Sequence, residues 1–199
     1  TGKFHARWCF KIFIEVALAS KKINVIGTSG SGKSTFAKKL ASSLGVPYIE
    51  LDALFWKRNW TEPSDDELFS KLQQALGQPA WVLDGNYSRT NPIKWEKVDT
   101  VIWLDYSFRR TLWQAILRAI RRAWTKEELW PGTGNRESFR GSFLSRKSII
   151  WWTIRQHRPS REKNLRLMAE AKRPGSKYSH INFVHLKSHR EADHYLREV

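Results

Sequence analysis

The run Gly27-Thr28-Ser29-Gly30-Ser31-Gly32-Lys33-Ser34 satisfies G-x-x-x-x-G-K-[ST]. Glycines at this spacing let successive backbone N–H groups turn inward as an anion nest. A helix beginning at the lysine adds the positive end of its dipole. The chemistry such a loop serves is the holding of a triphosphate tail, with Lys33 reaching the β and γ phosphates and Ser34 offering its hydroxyl to Mg²⁺. Thr35 closes the segment. At an average glycine usage of ~7%, a chance match in a chain this long is expected less than roughly once in a hundred. ATP and Mg²⁺ are the expected cofactors.

Triphosphate binding does not say what is done with the phosphate, and for that the acids matter. Asp52 follows one short apolar run, Asp84 ends a second and Asp105 ends a third. In an open α/β sheet, ligands sit outside the carboxyl ends of the strands, so these three acids are expected at the edge that carries the loop. One would help hold hydrated Mg²⁺ and another would orient or deprotonate an acceptor. Ser34, Asp52 and Asp105 are the candidate metal ligands, and Lys33, Asp52 and Asp84 candidate catalytic groups. Asp105, just before Tyr106-Ser107, also reads as an ordinary helix cap.

The elements that must position these groups can be read from periodicity. Ile23, Val25 and Ile26 form a β-branched run ending at Gly27, and Phe36, Ala37, Leu40, Ala41 and Leu44 then recur at helical spacing up to Gly45. Tyr48, Ile49 and Leu51 read as a second strand, Trp81-Val82-Leu83 as a third, Val101-Ile102-Trp103-Leu104 as a fourth and Ile181 to Leu186 as the last. Ser64-Asp65-Asp66-Glu67 and Ser188-His189-Arg190-Glu191 are capping-box sequences opening helices. Ser107 is expected to cap a helix with Leu112, Ile116, Leu117, Ile120 and Trp124 on its apolar side. Helical pattern runs from Ser145 to His157 and again from Ser160 to Lys172, where Trp151-Trp152 reads as a packing ridge. Strands alternating with helices imply βαβ units and a parallel sheet, hence an α/β fold. Residues 22–199 read as one domain with an insertion at about 125–145, centred on Pro131-Gly132-Thr133-Gly134. Residues 1–21 read as a basic, aromatic extension with Phe10, Phe13, Ile14 and Ala17 on one helical face.

Composition sets outer bounds. The chain has 199 residues, 41% hydrophobic and 27% charged, which is globular usage. The single cysteine, Cys9, excludes an intrachain disulfide scaffold and a thiolate zinc cage. His157, His180, His185 and His189 lack zinc-ligand spacing with carboxylates. No run approaches the ~18–20 apolar residues needed to span a bilayer, so a cytoplasmic location is expected. Lys and Arg number 35 against 19 acids, a net charge of +16, and Tyr106 to Val199 holds 21 basic and 8 acidic residues. Such a half attracts something anionic.

Gly27–Thr35, Leu51-Asp52-Ala53-Leu54-Phe55-Trp56, Trp81-Val82-Leu83-Asp84-Gly85-Asn86-Tyr87 and Val101-Ile102-Trp103-Leu104-Asp105 together resemble the small P-loop kinases related to adenylate kinase. The likeness is to the bacterial branch labelled adenylate-kinase-like or DNA topology modulation protein, and Asn135-Arg136-Glu137 fits it too. The resemblance covers roughly 22–199. It implies a P-loop NTPase fold of the nucleoside monophosphate kinase type, with a parallel five-stranded sheet flanked by helices, ATP as donor and an Arg-rich helical lid. Arg118, Arg121 and Arg122, at i, i+3 and i+4, share one helix side, with Arg136 and Arg140 beyond. Arginine forks stabilise the charge spread over a transferring phosphoryl group, so Arg118, Arg122 and Arg136 are candidate catalytic residues. Lys187 and Arg190 resemble the adenine-side loop of these kinases, although Ser188 also suits a plain helix cap there.

The acceptor stays open at this point. A nucleoside monophosphate requires arginines around its phosphate, and the region offers chiefly Arg58 and Arg89. Trp56, Asn86 and Tyr87 join Asp52, Asp84, Arg58 and Arg89 as candidate substrate-binding residues; aromatics suit a base, carboxylates a hydroxyl or amine. Asp52 two places after Glu50 is similar to the acidic pair of small-metabolite kinases such as those for shikimate. The expected function is Mg-ATP-dependent phosphoryl transfer to a small acceptor, a nucleotide or nucleotide-like metabolite. The alternative is a P-loop protein that binds DNA or RNA through its basic, Trp-rich half, with ATP as regulator: Arg109–Arg173 has 17 basic and 5 acidic residues interleaved with five tryptophans.

Overall fold

The computed structural model describes residues 21–139 and 148–199, the Ile149 side chain excepted. Residues 1–20 of the extension, Arg140 and the start of the helical pattern at Ser145 lie outside the described residues.

Strand β1 (Lys22–Gly27) feeds the phosphate loop and helix α1 (Lys33–Leu44), which ends at Gly45. Strand β2 (Tyr48–Glu50) stops one residue earlier than expected, because Leu51 opens a short helix, α2 (Leu51–Phe55). After a 3-10 turn at Arg58–Trp60 comes α3 (Asp65–Ala75). Its cap is half a capping box: Ser64 accepts from the Glu67 N–H at 3.3 Å, while the Glu67 carboxylate pairs with Lys57 and Lys71 instead of turning back. Strand β3 (Trp81–Asp84), a second 3-10 turn at Ser88–Thr90, α4 (Asn91–Lys94) and β4 (Thr100–Leu104) follow. The chain then forms α5 (Phe108–Thr125), α6 (Ile149–Ala171), β5 (Asn182–Leu186) and α7 (His189–Glu198).

All five strands are parallel, in the order β2-β3-β1-β4-β5. Side-chain alternation divides the core in two. Ile23 and Val25 of β1 pack with Phe36, Leu40 and Tyr195 on the α1 and α7 face, and Ile26 packs with Leu51, Phe55 and Leu72 on the other. Both faces are covered, which is why the strands read as short continuous apolar runs. Asn24 interrupts that run and stays buried by bonding fully. Its amide donates to the carbonyls of Leu83 (3.0 Å) and Gly85 (3.2 Å), and its oxygen accepts from the Trp95 indole (3.0 Å).

Three expectations are corrected. Of the apolar side expected on α5, Leu112 and Ile116 are half-buried, but Leu117 is 47% exposed, Ile120 44% and Trp124 87%, and the fully buried positions are Thr111, Ala115 and Ala119. The reason is proximity, since α5 crosses the phosphate loop so closely that a Cβ on Gly30 would lie 2.4 Å from the Thr111 carbonyl. Only small side chains fit there. The two helical patterns around Pro159 form one helix, α6, with the proline inside it. Trp151 and Trp152, expected as a packing ridge, are exposed on the surface of α6.

Candidate functional site

The phosphate loop occupies the switch point of the sheet, where β1 is flanked by β3 and β4. Gly30 and Gly32 adopt left-handed conformations (φ 85° and 78°), and the Ser31 N–H closes a turn on the Thr28 carbonyl at 3.0 Å. Gly32 stands immediately before α1, with open space where a Cβ would point. Lys33 and Ser34 sit half-buried in the first turn of α1, and Thr35 is exposed. Asn86 anchors the loop from the neighbouring strand. Its oxygen accepts from the Gly27 N–H at 3.0 Å and its amide donates back to the Gly27 carbonyl. Asn86, a candidate at the acceptor, thus also positions the loop, with one amide N–H and one oxygen bond given to Gly27.

Beside the loop stands a group of acids assembled from β2, α2 and β3. Strand alternation puts Tyr48 and Glu50 on the same side of β2. The Tyr48 hydroxyl faces both Asp84 (3.1 Å) and Glu50 (3.4 Å). Asp84 is 3% exposed, and its second oxygen has no hydrogen-bond partner among the described residues. Asp52, in the first turn of α2, lies beside the Tyr87 phenol and acts on it electrostatically. Burial, then the neighbouring carboxylates, hold both phenols well above their ordinary titration range, so they stay protonated donors. Gly85 permits the assembly. A Cβ at this position (φ 158°) would meet the Leu51 Cβ at 2.5 Å, so the glycine lets the end of β3 approach the start of α2.

Asp105 does not join this group. Its carboxylate is taken up on the far side of β4 by Arg161 (3.0 Å) and His185 (2.9 Å). Burial alone would raise its pKa, but the His185 hydrogen bond and the Arg161 charge outweigh that and hold it below the usual range. Among the described residues no group of three or more His, Cys, Asp and Glu is arranged to enclose a metal ion.

The arginines divide by role. Arg118 reaches from α5 to the loop, Nη2 to Ser29 Oγ at 2.6 Å, within the fields of Asp52 and Asp84. Arg122 pairs with Glu137 at 2.9 Å, while Arg121 is exposed and 3.9 Å from Glu127. Arg136 is exposed and bridges Glu128 through its backbone. On the acceptor side, Arg89 lies over the Phe55 ring and pairs with Asp65 (3.1 Å) and Glu62 (3.8 Å). Arg58 is exposed, with Nε donating to the Gly132 carbonyl (3.1 Å). Lys187 and Arg190 are exposed after β5, where Ser188 caps α7 by accepting from the Glu191 N–H (3.2 Å).

Two contributors escaped sequence reading because they depend on distant pairing. Trp130, in the segment after α5, donates its indole N–H to Glu50 Oε1 at 3.0 Å and sits edge-to-face on Trp60, which contacts Trp56 in the same way. Asn135, 1% exposed, donates to the Lys57 carbonyl (2.8 Å) and accepts from the Trp60 N–H (3.0 Å). Asn59 and Trp60 both hold φ at 56°, a left-handed conformation that costs a bulky residue about 1–2 kcal/mol. The segment bearing Arg136 is therefore latched onto the acceptor-side loop.

Comparison with known proteins places these features. The shikimate kinase family model matches residues 29–73, from the phosphate loop through α1, β2 and α2 into α3. No curated protein matches the sequence. A solved sugar kinase from a Janibacter species is similar at 15% identity and a TM-score of 0.45, over 89% of this chain and 91% of that one. A solved gluconokinase from Sinorhizobium meliloti is similar at 17% identity and a TM-score of 0.47, over the same shares. With a parallel 2-3-1-4-5 sheet and the loop between β1 and α1, the chain has the fold of the small phosphate-loop kinases.

Proposed function

We propose that this protein is a Mg-ATP-dependent phosphotransferase acting on a small acceptor. The observation that carries the reading is the juxtaposition of the glycine loop with buried Asp84, which is in register with Val25, two residues before Gly27, and keeps one oxygen without a hydrogen-bond partner among the described residues. The loop amides and Lys33 would hold the triphosphate, and Ser34 with Asp84 would hold hydrated Mg²⁺. When bound, that ion neutralises charge on the phosphates. Of the three acids first considered as metal or catalytic groups, Asp105 is spent on Arg161 and His185, and we assign it to structure. Asp52 is the acceptor-side carboxylate. It orients the attacking hydroxyl and takes its proton, while Arg118 supplies positive charge between the loop and the acids. Arg136 belongs to the latched segment, which covers the reacting groups and excludes water, and Arg122 of α5 is tied to that segment through Glu137.

Labelled ATP screened against nucleotides and small alcohols tests this reading. Acceptor-dependent transfer that Lys33→Ala abolishes is expected; transfer that survives the substitution places the donor site elsewhere.

A second reading has one observation in its favour. Trp113, Trp124, Trp151 and Trp152 are 44–87% exposed on the arginine-rich helices α5 and α6, an aromatic and basic surface of the kind that binds single-stranded nucleic acid. DNA or RNA binding that weakens steeply with salt supports it, and no binding near physiological salt removes it.

A further inference from the structure

We propose that the acceptor carries a cationic amine beside the hydroxyl that receives the phosphoryl group. This rests on the phosphotransferase reading and names the substrate class of the same site.

Glu50 accepts from the Trp130 indole, Asp52 lies beside the Tyr87 phenol, and Glu50 and Asp84 share the Tyr48 hydroxyl. That hydroxyl has one proton and can serve only one carboxylate at a time. Every one of these donors is neutral. The guanidinium groups that would balance the charge are drawn elsewhere: Arg89 to Asp65 and Glu62, Arg58 to the Gly132 carbonyl. Arg118 lies in the fields of Asp52 and Asp84, and it also serves Ser29. Like charges gathered at a partly buried site are costly without a counter-charge. A Mg²⁺ held by Ser34 and Asp84 would offset part of the Asp84 charge, yet a bound Mg–triphosphate pair would itself be an anion. An acceptor seated between that anion and the Glu50–Asp52 wall therefore lies in negative potential from both sides.

The second wall is aromatic. Trp56, Trp60 and Trp130 stand edge-to-face at centroid spacings of 5.5 and 5.8 Å, and the Trp130 N–H joins this row to Glu50. Perpendicular indoles beside a carboxylate are the recognition chemistry of an ammonium ion, worth about 0.5–2 kcal/mol per cation–π contact. A phosphate- or carboxylate-bearing acceptor meets repulsion here, and a neutral polyol gains hydrogen bonds without the charge term. In the transfer, the acceptor oxygen bonds to the γ-phosphorus and its proton passes to Asp52. The bond from the γ-phosphorus to the β–γ bridging oxygen breaks, and ADP leaves with that electron pair.

The test measures acceptor-dependent ADP release from Mg-ATP with alcohols in three matched charge classes: amino sugars and amino alcohols, their hydroxyl counterparts, and their carboxylate counterparts. The highest kcat/KM is expected in the amine class, at least about tenfold above the hydroxyl counterpart. Glu50→Gln should raise KM for the amine more than it lowers kcat and narrow the gap over the neutral counterpart. Trp130→Phe, which keeps the ring and removes the donor to Glu50, should narrow it as well. A neutral or anionic acceptor equal to or better than every amine overturns the inference, as does a screen in which no amine raises ADP release. Failure of the phosphotransferase reading shows separately, as wild-type protein that does not bind Mg-ATP or as transfer insensitive to Lys33→Ala.

Discussion

A lysine ammonium enclosed without a carboxylate hydrogen-bonded to it is costly, and Lys94, with a carbonyl and the Trp95 ring beside it, is such a residue. It is fully buried, its Nζ donates to the Gly85 carbonyl at 3.3 Å, and that same carbonyl accepts from Asn24. Burial, aided by the charge of Lys163, pushes its pKa down to about 7. The unfolded chain therefore binds this proton, and the folded chain does not, from about pH 7 to about pH 10.5. Stability should rise with pH across that window on this account. Urea denaturation between pH 7.5 and 9.5 should show the rise in wild type and a shallower one in Lys94→Met; equal slopes would contradict the assignment. At this scale the sequence disclosed what is local. Lys33 and Ser34 follow from a contiguous motif, whereas Lys94, Asn24 and Tyr48 acquire their roles only when strands β1, β2 and β3 come together. Asn86 likewise gains a second role from a partner at Gly27, 59 positions away, which no local pattern discloses.

Between elements, two close contacts set the site. Helix α5 rests on the phosphate loop at Gly30, and Gly30→Ala, strained in backbone and 2.4 Å from the Thr111 carbonyl, should cost about 1–3 kcal/mol of stability and displace Arg118 from Ser29. Chemical denaturation measures the loss, and an unchanged midpoint would mean α5 does not lie so near. The second contact is the Asn135 latch. Its two hydrogen bonds to the 57–60 loop contribute about 1 kcal/mol each, so Asn135→Ala should raise hydrogen exchange of residues 126–139 and 56–61 together. Exchange rising in one segment alone would show that they are not coupled. The same elements mark where periodicity misleads. The apolar stripe on α5 looked like a core face because helical spacing carries no information on what a helix crosses, and here it crosses a loop that admits only Thr111, Ala115 and Ala119. Pro159 suggested a break between two helices, but α6 runs through it.

At the level of the whole molecule, the sheet was legible because each parallel strand is a short apolar run followed by its helix, and of the three strand-end acids Asp52 and Asp84 lie together while Asp105 turns to Arg161 and His185. The latched segment was not. A polar, glycine-containing stretch reads as an open lid until Trp130 and Asn135 find Glu50 and the 57–60 loop. The net charge of +16 resides mainly in the second half, and its exposed form is the α5 and α6 surface rather than the acid-lined acceptor side. No helix among the described residues is long and apolar enough to cross a membrane. Raising salt from about 50 to about 200 mM should therefore weaken any polyanion bound to α5 and α6 far more than it changes KM for the acceptor, a difference that filter binding and steady-state kinetics measure side by side. The account as a whole depends on the loop gripping a triphosphate. Calorimetric titration with Mg-ATP tests this most directly: wild-type protein should bind one equivalent, and Lys33→Ala should bind at least about tenfold more weakly. Equal affinity in the two proteins, or no binding by the wild type, would contradict it.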